Sequence, residues 1–130
     1  MNCSKSLEYL VIKKAYIFRR LQKDPAVFVG SEFQQYKGWS CNKSRITKKE
    51  LEKKLTIRLK NKLEKLGKLA EKRYENYLGN CGEVHAANKV LKQNHTIEIN
   101  QLTFSNAYRP RTLQKIDYCQ NCLDTFNISN

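Results

Sequence analysis

The residues able to do chemistry in this chain are concentrated at Gly79-Asn80-Cys81-Gly82-Glu83-Val84-His85-Ala86-Ala87-Asn88 and at Tyr118-Cys119-Gln120-Asn121-Cys122. A thiol followed two residues later by a carboxylate, joined to a C-x-x-C pair downstream, has the make-up of a three-cysteine zinc site with a proton-shuttling glutamate beside it. An ideal helix turns about 100° per residue, so positions two apart point in roughly opposite directions from mid-helix. Cys81 and Glu83 can therefore share a pocket only with Cys81 at or before a helix N-cap and Glu83 in the first turn. The adjoining Gly79-Asn80 and Gly82 permit that tight entry. Cys119 and Cys122, three apart at the start of another helix, can ligate one ion from a single turn. Both ligand sets then fall where unsatisfied backbone N–H groups and the positive end of the helix dipole favour a thiolate. A fourth position left to water makes such a metal a hydrolytic centre with Glu83 as its base. In the competing arrangement His85, four residues from Cys81, closes a purely structural Cys-Cys-Cys-His tetrahedron. That arrangement leaves Glu83 without a task, and an N-cap cysteine does not meet His85 in ideal i, i+4 geometry. His95 reads as a surface or turn residue.

These side chains need elements to position them. Apolar residues from Leu7 to Leu21 fit helical spacing, and Asp24-Pro25 breaks the pattern. Ala26 to Gly30 and Phe33 to Trp39 read as a hairpin turning at Gly30-Ser31, with Phe33, Tyr36 and Trp39 as packing residues. Thr47-x-x-Glu50 is a capping-box pattern, and Leu51, Leu55, Leu59, Leu63, Leu66 and Ala70 behind it predict one long amphipathic helix closed at Gly79-Asn80, with Gly67 as the place for a bend or interruption. Its many lysines lie mostly off the apolar stripe, where they either track phosphates or are simply solvated. Glu83 to Lys92 starts another helix with Val84, Ala87, Val90 and Leu91 inward. Thr96 to Phe104 alternates as a strand, Arg109-Pro110-Arg111 forms a loop, and a short helix runs from Cys119 to about Phe126.

With 130 residues the chain is sized for one domain with a single modest core. No apolar run approaches the roughly 20 residues of a membrane span, and Glu8 interrupts the place where an export signal would turn apolar. The 25 Lys and Arg outnumber 12 Asp and Glu, a formal charge of +13 that concentrates polyanions around the surface and makes nucleic acid the leading partner. Five cysteines, an odd number, disfavour a closed disulfide framework and leave Cys3 and Cys41 outside the metal-ligand spacing, a pattern suited to a reducing compartment.

At Gly79-Asn80-Cys81-Gly82-Glu83-Val84-His85-Ala86-x-Asn88 and Cys119-x-Asn121-Cys122-x-x-x-Phe126 the chain resembles the cytidine-deaminase-like superfamily, specifically the YwqJ-like deaminases that form C-terminal domains of bacterial polymorphic toxins. The resemblance implies an α/β fold with a small deaminase-like sheet, flanking helices and a zinc site at two helix N-termini, in one domain over residues 1–130. It implies one zinc per chain on Cys81, Cys119 and Cys122, with Glu83 as general acid/base passing a proton to the ring nitrogen and to departing ammonia. Tyr118 stands where deaminases commonly carry proline, at the mouth of the pocket. Delivery by a secretion system within a larger toxin, action in a target-cell cytoplasm and a cognate immunity protein are further implications. The function expected is hydrolytic conversion of cytosine to uracil in DNA or RNA. Arg109 and Arg111 near the Cys119 turn would contact phosphates, and Tyr108 would either stack on a base or pack in the core. The alternatives are a deaminase of free nucleosides or nucleotides and a non-catalytic, zinc-stabilised nucleic-acid-binding module.

Overall fold

A computed structural model of the chain describes residues 3–20, 27–41 and 45–130. Phe28–Phe33 (β1) and Tyr36–Cys41 (β2) form an antiparallel hairpin. Thr103–Phe104 (β5) and Ala107–Arg109 (β6) both line the other edge of β1, and Gln114–Ile116 (β7) pairs with β6, so the sheet runs β2-β1-β6-β7 with β5 beside β1. Ser105 lies between β5 and β6. Its N–H donates to the Gly30 carbonyl at 2.9 Å, and its hydroxyl accepts the Gly30 N–H at 2.8 Å. The side chain has taken over a ladder bond, which interrupts the strand without leaving β1 unpaired.

Helices cover both faces. Lys5–Arg20 (α1) buries Leu7, Val11 and Ala15 against Phe28 and Tyr108, with Phe18 and Trp39 packed alongside. Gly82–Gln93 (α4) lies on the opposite face, where Val84, Ala87, Val90 and Leu91 join the larger core. The pleat explains the division, since alternate residues of a strand point to opposite sides. Phe28 and Trp39 face α1, whereas Phe33, Tyr36 and Phe104 face the α4 side. The architecture is α/β, with five α-helices among the described residues and an antiparallel sheet between helical layers.

Several sequence expectations are corrected. The hairpin turns at Gln34-Gln35 rather than at Gly30-Ser31. Gly30 is a mid-strand residue under α1, where a Cβ would meet Leu7 Cδ1 and Val11 Cγ2 at 2.7 Å. Its smallness serves close approach and not a turn. The expected long helix is two, Lys48–Lys54 (α2) and Ile57–Glu64 (α3), followed by a small hairpin of Lys72–Arg73 (β3) and Asn76–Tyr77 (β4). Thr47 does cap α2, accepting the Glu50 N–H at 3.2 Å. At the break Leu55 is extended, and the buried Asn88 side chain of α4 accepts the Thr56 N–H at 2.8 Å and donates to the Lys54 carbonyl at 3.0 Å. The leucine stripe continues past the break because both helices bury the same face. Residues 96–104 are not a continuous strand but a 3-10 turn, Ile99–Gln101, and then β5. Glu98 and Gln101 cap that turn reciprocally, which stops the chain extending. Leu21, Asp24-Pro25 and Ala26 lie outside the described residues.

Candidate metal centre

Gly79 has φ of +92° and packs on Leu51, so the chain reverses there and delivers Cys81 to the start of α4. Cys81 is the N-cap residue with φ −69° and ψ 149°, and Glu83 sits in the first turn. Cys119 likewise caps Gln120–Phe126 (α5), with Cys122 one turn in. The two helix starts converge, and the sulfurs of Cys81, Cys119 and Cys122 lie within 4.8 Å of one another. Among the described residues this is the one cluster of His, Cys, Asp or Glu side chains able to hold a metal ion, and His85 is not part of it.

The donor set fits zinc. The three thiols are free of disulfides, as are Cys3 and Cys41. A tetrahedral zinc about 2.3 Å from each sulfur would space the sulfurs by roughly 3.8 Å, within the reach of this cluster. Cys81 and Cys119 sulfurs are 2.8 Å apart, closer than that spacing, so occupancy would part this pair by about an ångström.

The electrostatics of the cluster have identifiable causes. Hydrogen bonds from Cys122 and Cys81, helped by the backbone N–H groups of Cys122 and Asn121, hold the Cys119 thiol down to about 3. Cys81, hydrogen-bonded to that thiolate, is pushed up, and complete burial does the same to Cys122. Glu83 is 5% exposed, and burial raises its carboxyl to about 7. The Cys122 thiol donates to Glu83 Oε2 at 3.4 Å, which puts the carboxyl immediately beside the sulfurs.

Asn121, between the two α5 cysteines, is buried and anchored on the β3–β4 hairpin. Its amide donates to the Asn76 carbonyl at 3.2 Å and its oxygen accepts from Arg73 at 3.1 Å. Arg73 also pairs with Asp124 at 2.8 Å, which holds the Asp124 carboxyl below its ordinary range. Arg73 and Asn76 escaped the sequence reading because they are remote in the chain; a polar residue between two ligands was the available signal for Asn121.

The other predicted site residues divide. Tyr118 directly precedes Cys119, and its half-buried hydroxyl donates to the Ser105 carbonyl at 2.6 Å; burial, then the Glu83 charge, raises it. Tyr108 is 5% exposed on the α1 face of the sheet, across from the thiols, and its hydroxyl donates to Glu8. Burial, then that bond, raises it to about 12. Of the two alternatives for Tyr108, the structure has the core one. Arg109 and Arg111 are exposed at the closed end of the β6–β7 hairpin, whereas Ile116, at its other end, leads toward Cys119. A groove of about 1190 Å³ lies beside the thiols and not over them, lined by Glu8, Phe104, Tyr108, Tyr118, Phe126 and the last residues of the chain. No helix among the described residues is long and apolar enough to cross a membrane.

Compared with protein-family models, curated proteins and solved structures, the chain has no match.

Proposed function

We propose that this chain is a zinc-dependent nucleobase deaminase of the cytidine-deaminase-like superfamily, converting cytosine to uracil in nucleic acid as the effector domain of a bacterial toxin. The observation that carries the reading is the placement of Glu83 in the first turn of α4, buried and within hydrogen-bond distance of Cys122, beside three clustered thiols. C-x-E and C-x-x-C alone are short motifs; side by side at two helix starts they match the chemistry of base deaminases. Cys81, Cys119 and Cys122 would hold one zinc, which when bound would supply a water ionised near neutral pH. Glu83, not a ligand, would hold and move the proton between that water, the ring nitrogen and the leaving amine. The three sulfurs would hold the cation at two helix starts whose N–H groups favour negative charge. Tyr118, the residue before Cys119, lines the groove beside the thiols. Delivery within a larger toxin, action in a target-cell cytoplasm and neutralisation by an immunity protein rest on the sequence resemblance alone.

The complete burial of Cys122 and a groove that opens beside the sulfurs favour a second reading, in which the zinc only staples the fold of a nucleic-acid-binding module. One experiment separates the two. Purified protein is expected to carry one zinc, lost in Cys81→Ser and Cys119→Ser together with much of the thermal stability. Glu83→Ala is expected to keep zinc and fold while losing cytosine-to-uracil conversion, read by sequencing of DNA and RNA incubated with the protein. Zinc retained with wild-type conversion in Glu83→Ala would sink the deaminase reading. Conversion of free cytidine alone would move the substrate to nucleosides.

A further inference from the structure

Four of the six large hydrophobic side chains that are exposed among the described residues lie on α1: Tyr9 at 71%, Tyr16 at 47%, Ile17 and Ile12. At about 100° per residue, Lys5, Tyr9, Ile12, Tyr16, Arg19 and Arg20 fall within an arc of about 100°, and all six are exposed. The same helix turns Leu7, Val11 and Ala15 into the core, so its outer arc is left to solvent. Its single carboxylate, Glu8, lies just outside one edge of that arc and accepts hydrogen bonds from the Asn106 N–H and the Tyr108 hydroxyl. The ion pairs among the described residues involve none of Lys5, Arg19 or Arg20.

An aromatic face flanked by cations that form no ion pair among the described residues has a specific chemical complement. A solvated charged face needs no tyrosines, and an apolar partner gains nothing from cations held clear of carboxylates. A polyanion that also carries flat rings satisfies both. We infer that the outer face of α1 is a docking surface for single-stranded nucleic acid. Unpaired bases stack on Tyr9 and Tyr16, about 10 Å apart along the axis, while Lys5, Arg19 and Arg20 take phosphates at the two ends of the helix. Duplex fits less well, because its base faces are already stacked on one another.

The surface also connects to the candidate centre. Glu8 and Ile12 line the same groove as Tyr118, so a strand lying along α1 has a continuous path to the Cys119 turn. The inference rests on the proposed deaminase activity only for what the strand is there to do.

The test uses labelled oligothymidylate and oligouridylate, which carry no exocyclic amine to remove, so binding is read independently of any deamination. Fluorescence anisotropy is expected to show salt-dependent binding of both, and weaker binding of duplex. Tyr9→Ala with Tyr16→Ala is expected to weaken single-strand binding about tenfold or more at unchanged melting temperature, and Tyr9→Phe with Tyr16→Phe to retain it. Lys5→Gln, Arg19→Gln and Arg20→Gln together should flatten the slope of log affinity against log salt by about two, at roughly 0.7 per phosphate. Absence of binding by the parent, or parental affinity in the tyrosine-to-alanine protein, overturns the inference. So does a concentration-dependent dimer in sedimentation that the same alanines abolish while oligonucleotide affinity is unchanged, since the face would then join copies of the chain. Lost conversion of every substrate with binding behaving as expected would reject the deaminase reading and leave this surface standing.

Discussion

Glu83 is a carboxyl group withdrawn from water at the first turn of α4, with the Cys122 thiol donating to it. Burial holds it near 7 against an ordinary 4.5, which has a definite sign in stability. Between these values the unfolded chain has released the proton and the folded one keeps it. Stability from this group is therefore complete below about 4.5 and is lost as pH rises through about 7, on the order of 3 kcal/mol in zinc-free protein. Cys119, whose folded thiol is depressed to about 3, works in the opposite sense over the same window. Its charge also stands beside Glu83 and is part of what raises that carboxyl, so the comparison of parent and variant reads the two groups together. Denaturant midpoints of zinc-free parent and Glu83→Gln should thus diverge in favour of the variant as pH rises from about 4 to about 8. A constant gap would mean that Glu83 is not desolvated in solution.

At the scale of elements, the α5 start is held by a hairpin that contributes no candidate ligand. Asn121 ties the Cys119–Cys122 turn to Asn76 and Arg73, and Arg73 closes the arrangement on Asp124. Groups behind a metal ligand set its orientation, and their loss typically weakens metal affinity by about 10–100-fold. Asn121→Ala should accordingly release zinc to a chelator at about 10–100-fold lower competitor concentration than the parent, with the helical signal retained. Affinity equal to the parent would show that the turn is rigid without its anchor. The α2–α3 break belongs to the same scale. Asn88, 2% exposed, supplies the acceptor and donor that the interrupted helix lacks, so an irregular junction is buried without orphaned groups.

For the whole molecule, the separation between layers is set where β2 meets α4. A Cβ on Gly38 would lie 2.8 Å from the Ala86 carbonyl oxygen and 2.8 Å from Lys89 Cβ. The oxygen is helix backbone and cannot swing aside, so Gly38→Ala must push α4 off the sheet. About 1–3 kcal/mol of destabilisation follows, measured as a lower denaturant midpoint at unchanged slope. Because α4 carries Cys81 and Glu83, the same variant should also weaken zinc binding; full stability with full zinc would contradict this layer packing.

The sequence alone determined what depends on neighbours a few residues away. Thr47 caps α2, Cys81 and Cys119 take N-cap positions, and Val84, Ala87, Val90 and Leu91 form an inner stripe, because side-chain period and capping are local chemistry. The thiol cluster was legible for the same reason, each half being a short motif. Tertiary structure decided the rest. Gly30 looked like a turn until α1 lay across it, and the leucine stripe looked like one helix until Asn88 made a break tolerable. Tyr108 was assigned to one of two roles only when the pleat turned it toward α1 and away from the thiols. In each case the deciding atom comes from a segment about twenty residues away or more. Propensity and spacing do not encode that contact; burial and hydrogen-bond satisfaction in the assembled layers do.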